Sequence, residues 1–107
     1  MEELFEKIRR YVDEHHDDML ALWEEMVNTE SGSRQLEGVA AMDAILQREL
    51  ESVGAKIQVL PVENAGGVLV AEWNSDSPKA PLLFIGHVDH GLKEGTAEDN
   101  PFRIDEQ

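Results

Sequence analysis

The chain has 107 residues, 23 acidic and 9 basic, for a formal charge of −14. A surface of that sign repels nucleic acid and anionic membrane, and no apolar run approaches the ~20 residues of a membrane span. There is no cysteine, which excludes disulfides, thiol catalysis and thiolate metal sites within these residues.

The N-terminus, Met1-Glu2-Glu3-Leu4-Phe5-Glu6, is acidic and amphipathic, unlike a signal peptide, and a cytoplasmic location is expected. Leu4, Ile8, Val12, Met19, Trp23 and Met26 recur at helical spacing and predict one helix over 3–28. Thr29-Glu30-Ser31-Gly32-Ser33 breaks it. A second helix is predicted over 33–53, with Leu36, Val39, Met42, Leu46, Leu50 and Val53 on one face. Ser31 or Ser33 can cap its start, and Gly54 stands where a left-handed C-terminal cap belongs. The period then changes. Ala55, Ile57 and Val59 alternate with Lys56 and Gln58 as in a half-exposed strand, and Gly66-Gly67 opens a second strand, Val68 to Trp73. Asn74-Ser75-Asp76-Ser77-Pro78 is a turn. Leu82-Leu83-Phe84-Ile85 lacks alternation, which predicts a central strand buried on both faces. Beyond Gly91 the chain turns polar and irregular, and Phe102-Arg103-Ile104-Asp105 can start another strand.

The apolar run ends in Gly86-His87-Val88-Asp89-His90-Gly91. This stretch looks like the phosphate loop of translation-factor GTPases, but such a loop needs a lysine and a hydroxyl directly after the second glycine. Here Leu92 intervenes, the lysine is one place late, and Gly95 and Pro101 oppose the helix that should follow. The metallo-β-lactamase pattern H-x-H-x-D-H would put Ile85 at a ligand position.

A third pattern covers more of the chain. "LWEEMVNTESGS" (22–33), "LESVGAKIQVLP" (50–61), "GGVLVAEW" (66–73) and "PLLFIGHVDHGLKEGT" (81–96) with "NPFRID" (100–105) occur in order. Together they resemble the zinc-dependent metallopeptidase and amidohydrolase family that includes glutamate carboxypeptidases, aminoacylase, acetylornithine deacetylase and succinyl-diaminopimelate desuccinylase. The resemblance implies that His87 is a zinc ligand and Asp89 the supporting catalytic aspartate. The residues are apt for those roles: neutral imidazole binds zinc well, and a carboxylate two places on along a strand can orient it. His90 departs from the family, which more often has threonine, serine or an aliphatic residue there, and it is not counted as a ligand.

The family's site holds two zinc ions. It also uses a bridging aspartate in a G-x-x-D-M-K-G-G segment, a Glu-Glu pair whose first member is the general base, a further acidic ligand and a late histidine. None of these occurs in residues 1–107. The expectation is therefore an α/β fold, two N-terminal helices packed on a mixed sheet of at least three strands, forming the N-terminal part of a catalytic domain. The parent protein would cleave an amide or peptide bond of a small peptide or acyl-amino acid. The glutamate-carboxypeptidase-like branch is suggested by "KEGT" and "NPF". Residues 1–107 alone would be inactive and bind zinc weakly at most. Their sheet face would lack cover and drive self-association into a homo-oligomer. The alternative from another class is a non-catalytic interaction domain that keeps the fold without the metal chemistry.

Plainer readings stand beside these. His87 and Asp89 can pair without a metal. His15 and His16 in "DEHHDD" diverge on a helix and read as a solvated face. Glu24, Glu25, Glu49 and Glu51 read as solvent-facing charges, and Trp23 and Trp73 as core.

Overall fold

The computed structural model describes residues 1–91 and 94–105. In chain order these form α1 (Glu2–Glu14), α2 (His16–Val27), α3 (Leu36–Ser52), β1 (Lys56–Leu60), β2 (Val68–Glu72) and a one-turn α4 (Thr96–Asp99). The α/β class holds. The sheet is smaller than expected, with two antiparallel strands among the described residues instead of at least three.

The first predicted helix is two. The break falls at His15, whose φ of −108° and ψ of 18° make it the last cap of α1 and the first of α2. Its Nδ1 lies 2.8 Å from the Tyr11 carbonyl oxygen, and its ring stacks on Tyr11 at 3.9 Å between centroids. The flanking charges favour two helices over one. Asp17 and Asp18 stabilise the start of α2, whereas Asp13 and Glu14 sit unfavourably at the end of α1.

α3 forms on the predicted face but starts at Leu36, with Gln35 before it and no side-chain cap from Ser31 or Ser33, and it ends as Gly54 predicts. Gly54 has φ 92°, its N–H donates to the Glu51 carbonyl at 3.0 Å, and the Ala55 N–H reaches back to Leu50 at 3.1 Å. That pair of bonds is a Schellman cap, and it turns the chain directly into β1. β1 and β2 pair with Ile57 opposite Ala71 and Val59 opposite Leu69, and Lys56 faces Glu72 across the strands.

Of the two predicted helices expected on the sheet, the second, α3, packs on this hairpin, whereas α1 and α2, which replace the first, bury no residue. The core is small and follows the helical period: Val39, Met42 and Ile45 of α3, closed by Ala55. Two glycines let the backbone come close. A Cβ on Gly38 would stand 1.7 Å from the Glu30 carbonyl oxygen, so α3 lies directly against the 29–33 turn. A Cβ on Gly66 would stand 2.3 Å from a methyl of Val39. Arg48 ties α3 to α2 through two bonds to Glu25, at 3.0 and 2.7 Å. Trp73 caps the far end of the hairpin, its indole N–H donating to the Val53 carbonyl at 3.1 Å.

The predicted central strand does not form. Residues 81–87 pair with no strand among the described residues, and Leu82, Leu83, Phe84 and Ile85 are 83–90% exposed. The reason lies in what such a strand needs. A run apolar on both faces is stable only between two layers, and one helix on one hairpin supplies cover for a single face. Residues 102–105 likewise form no strand, and α4 arises in the polar stretch read from sequence as irregular.

Candidate functional site

The 29–33 turn and residues 87–90 meet, although they lie more than fifty positions apart. Gly32 and His90 form an isolated parallel bridge. The Ser33 N–H donates to the His90 carbonyl at 2.9 Å, and the His90 N–H donates to the Ser31 carbonyl at 3.1 Å. The turn is braced from behind, where the Gln35 side chain accepts from the Gly32 N–H at 2.9 Å and the Gln35 N–H donates to the Gly32 carbonyl at 2.8 Å. Ser31 is buried to 2% exposure, so the turn is part of the packed body.

This bridge places the two sequence-predicted site residues side by side. His87 Nδ1 lies 3.5 Å from Asp89 Oδ1. That separation suits an ion pair and is long for a hydrogen bond. The other carboxylate oxygen, Oδ2, accepts the Ser33 hydroxyl at 2.6 Å. The Ser33 hydroxyl, then Asp89's own backbone N–H and His87, hold the Asp89 carboxyl below its ordinary range, with partial desolvation opposing them. His87 itself is 88% exposed, so its imidazole is open to a ligand. His90 contributes its backbone to the bridge and also lines a cleft.

That cleft, of about 380 Å³, is mostly apolar and runs between α2, α3 and α4, lined among others by Trp23, Met26, Met42 and Ala97. Residues 95–102 are fastened across it. The Ala97 N–H donates to Glu30 Oε1, and the Phe102 N–H donates to Asn28 Oδ1 at 2.8 Å. Phe102 meets Trp23 edge to face at 5.7 Å. Trp23, read from sequence as core, is 59% exposed and forms the rim of the cleft.

Among the described residues no three His, Cys, Asp or Glu side chains converge on one point. His15 and His16 sit at the junction of α1 and α2, far along the chain from the pair. Glu25, read as a solvent-facing charge, is exposed and is also the partner of Arg48, whose hydrogen bond lowers its pKa below the ordinary carboxylate range. The sequence names His87 and Asp89, which lie side by side here, and does not place Ser33 beside them. "SGS" and "HVDH" were each visible, but nothing in either signals a hydrogen bond between Ser33 and Asp89 across 56 residues.

No protein-family model, curated protein or solved structure matches this chain. None of the helices formed by the described residues is long and apolar enough to cross a membrane.

Proposed function

We propose that the chain is part of the catalytic domain of a cytoplasmic zinc hydrolase that cleaves an amide or peptide bond of a small peptide or acyl-amino acid. His87 serves as a metal ligand and Asp89 as its supporting carboxylate. The observation that carries this reading is the Ser33–Asp89–His87 group. A carboxylate faces the Nδ1 side of an exposed histidine, which leaves Nε2 outward, the arrangement that metal-binding histidines use. Two stretches that separately resemble the family, 22–33 and 81–96, are the ones that meet there.

The fit to zinc is partial. A catalytic zinc takes about three protein ligands and an open position, and the described residues supply one imidazole with its orienting carboxylate. The remaining ligands and the general base would come from outside them. When bound, zinc polarises a carbonyl and lowers the pKa of a water. The task of these residues is to present Nε2 and to fix the ring.

Two arms test the reading. In the first, residues 1–107 are titrated with zinc by calorimetry: binding is weak, disappears in H87A, persists in H16A, and is accompanied by no hydrolysis. In the second, the full product of the gene carrying this chain is assayed with N-acyl amino acids and dipeptides: turnover requires zinc and is abolished by H87A. Turnover or zinc affinity unchanged by H87A would contradict the proposal.

The exposure of Leu82, Leu83, Phe84 and Ile85 favours a second reading, a non-catalytic interaction domain that docks through this run. It also supports self-association into a homo-oligomer. In that case light scattering on the 107-residue chain shows a dimer or larger, F84S returns it to monomer, and H87A changes nothing.

A further inference from the structure

His87 and Asp89 lie in a segment with little support on its N-terminal side. Residues 81–87 run extended without a strand partner, and the four apolar side chains before Gly86 point into solvent. A histidine at the end of such a segment has no packed neighbours to choose its rotamer or its tautomer. What the structure offers in their place is the 31–33 turn. It is rigid for stated reasons: Ser31 is buried, Gly32 is held by Gln35, and α3 presses on the adjoining Glu30 backbone at Gly38.

From this geometry we infer that Ser33 is a positioning residue for the Asp89–His87 pair, its hydroxyl pinning one carboxylate oxygen so that the other faces His87 Nδ1. The hydroxyl has one proton and two acceptors in range, Asp89 Oδ2 at 2.6 Å and the His90 carbonyl at 3.2 Å. The shorter, charge-assisted bond takes it. The backbone half of the clamp is independent of that proton, because it uses the N–H groups of Ser33 and His90. The segment therefore docks through main chain, and the carboxylate is aimed through the side chain. With Oδ2 holding the Ser33 hydroxyl, Oδ1 is the oxygen that faces imidazole Nδ1, at 3.5 Å, and its charge favours the tautomer that carries the proton there and leaves Nε2 bare. What Nε2 then holds rests on the zinc reading above. The aiming of Asp89 and His87 does not.

The test compares Ser33→Thr with Ser33→Val, two side chains of nearly the same shape of which only threonine keeps the donor. Both keep the backbone N–H, so amide hydrogen exchange at positions 33 and 90 reports whether the clamp is intact in each. The metal-free readout is the His87 tautomer, read from the side-chain 15N shifts at a fixed pH where the ring is neutral. The Nδ1–H form predominates in wild type and S33T and loses that predominance in S33V. The metal readout is the His87-dependent zinc affinity, which falls about tenfold in S33V and is restored in S33T.

Equal tautomer populations in S33T and S33V, with exchange at residues 33 and 90 slow in both, would overturn the inference. So would failure of S33T to behave as wild type. Absence of His87-dependent zinc binding in the wild-type protein counts against the zinc reading alone, because the tautomer arm still decides the role of Ser33.

Discussion

Residues 36–72 and residues 81–91 carry comparable apolar content and reach opposite ends. In the first, α3 turns through its Schellman cap into a hairpin and lays one apolar face on it, and Val39, Met42 and Ile45 are buried. In the second, four consecutive large apolar side chains find no layer to pack on. The difference shows that hydrophobicity sets the demand for burial and topology decides whether it is met. An amphipathic helix needs one partner face, and a hairpin with one covered side provides it. A run apolar on both sides needs two, and neither side of this run is covered by the described residues. The Ser33–Asp89–His87 group sits on the seam between these regions, fixed by a turn of the packed part and carried by the unpacked one.

The largest expected effect is in the packed region. Gly38→Ala drives a Cβ into the Glu30 carbonyl, a backbone atom that cannot move without shifting the 29–33 turn. A loss of about 3 kcal/mol in urea unfolding is expected. The same variant should speed amide exchange at Ser33, because the clamp leans on that turn. Met42→Ala removes a side chain only 6% exposed and should cost about 2 kcal/mol, the low end for a core this small.

A smaller effect, of opposite sign, is expected at Asp43. It lies on the buried face of α3 at 6% exposure, with Oδ1 buried and unpartnered, and desolvation raises its pKa. A carboxyl whose folded pKa is raised binds its proton more readily when folded. Its contribution to stability is therefore greatest below the ordinary carboxylate pKa and declines as pH rises through the raised value. Asp43→Asn removes the buried charge and should stabilise by about 1 kcal/mol at pH 7, with the advantage vanishing at low pH in parallel unfolding curves.

The Arg48–Glu25 pair works in the opposite direction. The pKa of Glu25 is lowered chiefly by its hydrogen bond to Arg48, so the pair's contribution is present above the ordinary carboxylate pKa and is lost as pH falls through the lowered value. Glu25→Gln should lower the melting temperature slightly at pH 7, less so in high salt, and not at low pH. The smallest effect of all is expected from Phe84→Ser, within about 0.5 kcal/mol of wild type, because the ring is already 90% exposed. A loss comparable to that of Met42→Ala would mean that something covers the run.

Local patterns were legible in the sequence and long-range ones were not. Gly54 marked its cap because a left-handed position has few other solutions, and the switch from period 3.6 to period 2 marked the hairpin. The break at His15 was present in the charges, acids closing one helix and opening the next, but the apolar stripe that resumes in phase at Met19 outweighed them. The run 82–85 misled because its composition states what a strand would need and says nothing of whether the layers exist. His87 and Asp89 were visible as a spaced pair ending an apolar run. Ser33 was not, because its role arises from a parallel bridge between distant segments.

The most direct test of this account is residue-resolved amide hydrogen exchange on the 107-residue chain at neutral pH. Slow exchange is expected in α3, at the paired positions of β1 and β2, and at Ser33 and His90, with 82–86 exchanging at the rate of an unstructured peptide. Protection of 82–86 equal to that of β1 and β2 would show the run to be a paired strand, and would contradict both the unpaired segment and the dependence of the His87–Asp89 pair on the turn at 31–33.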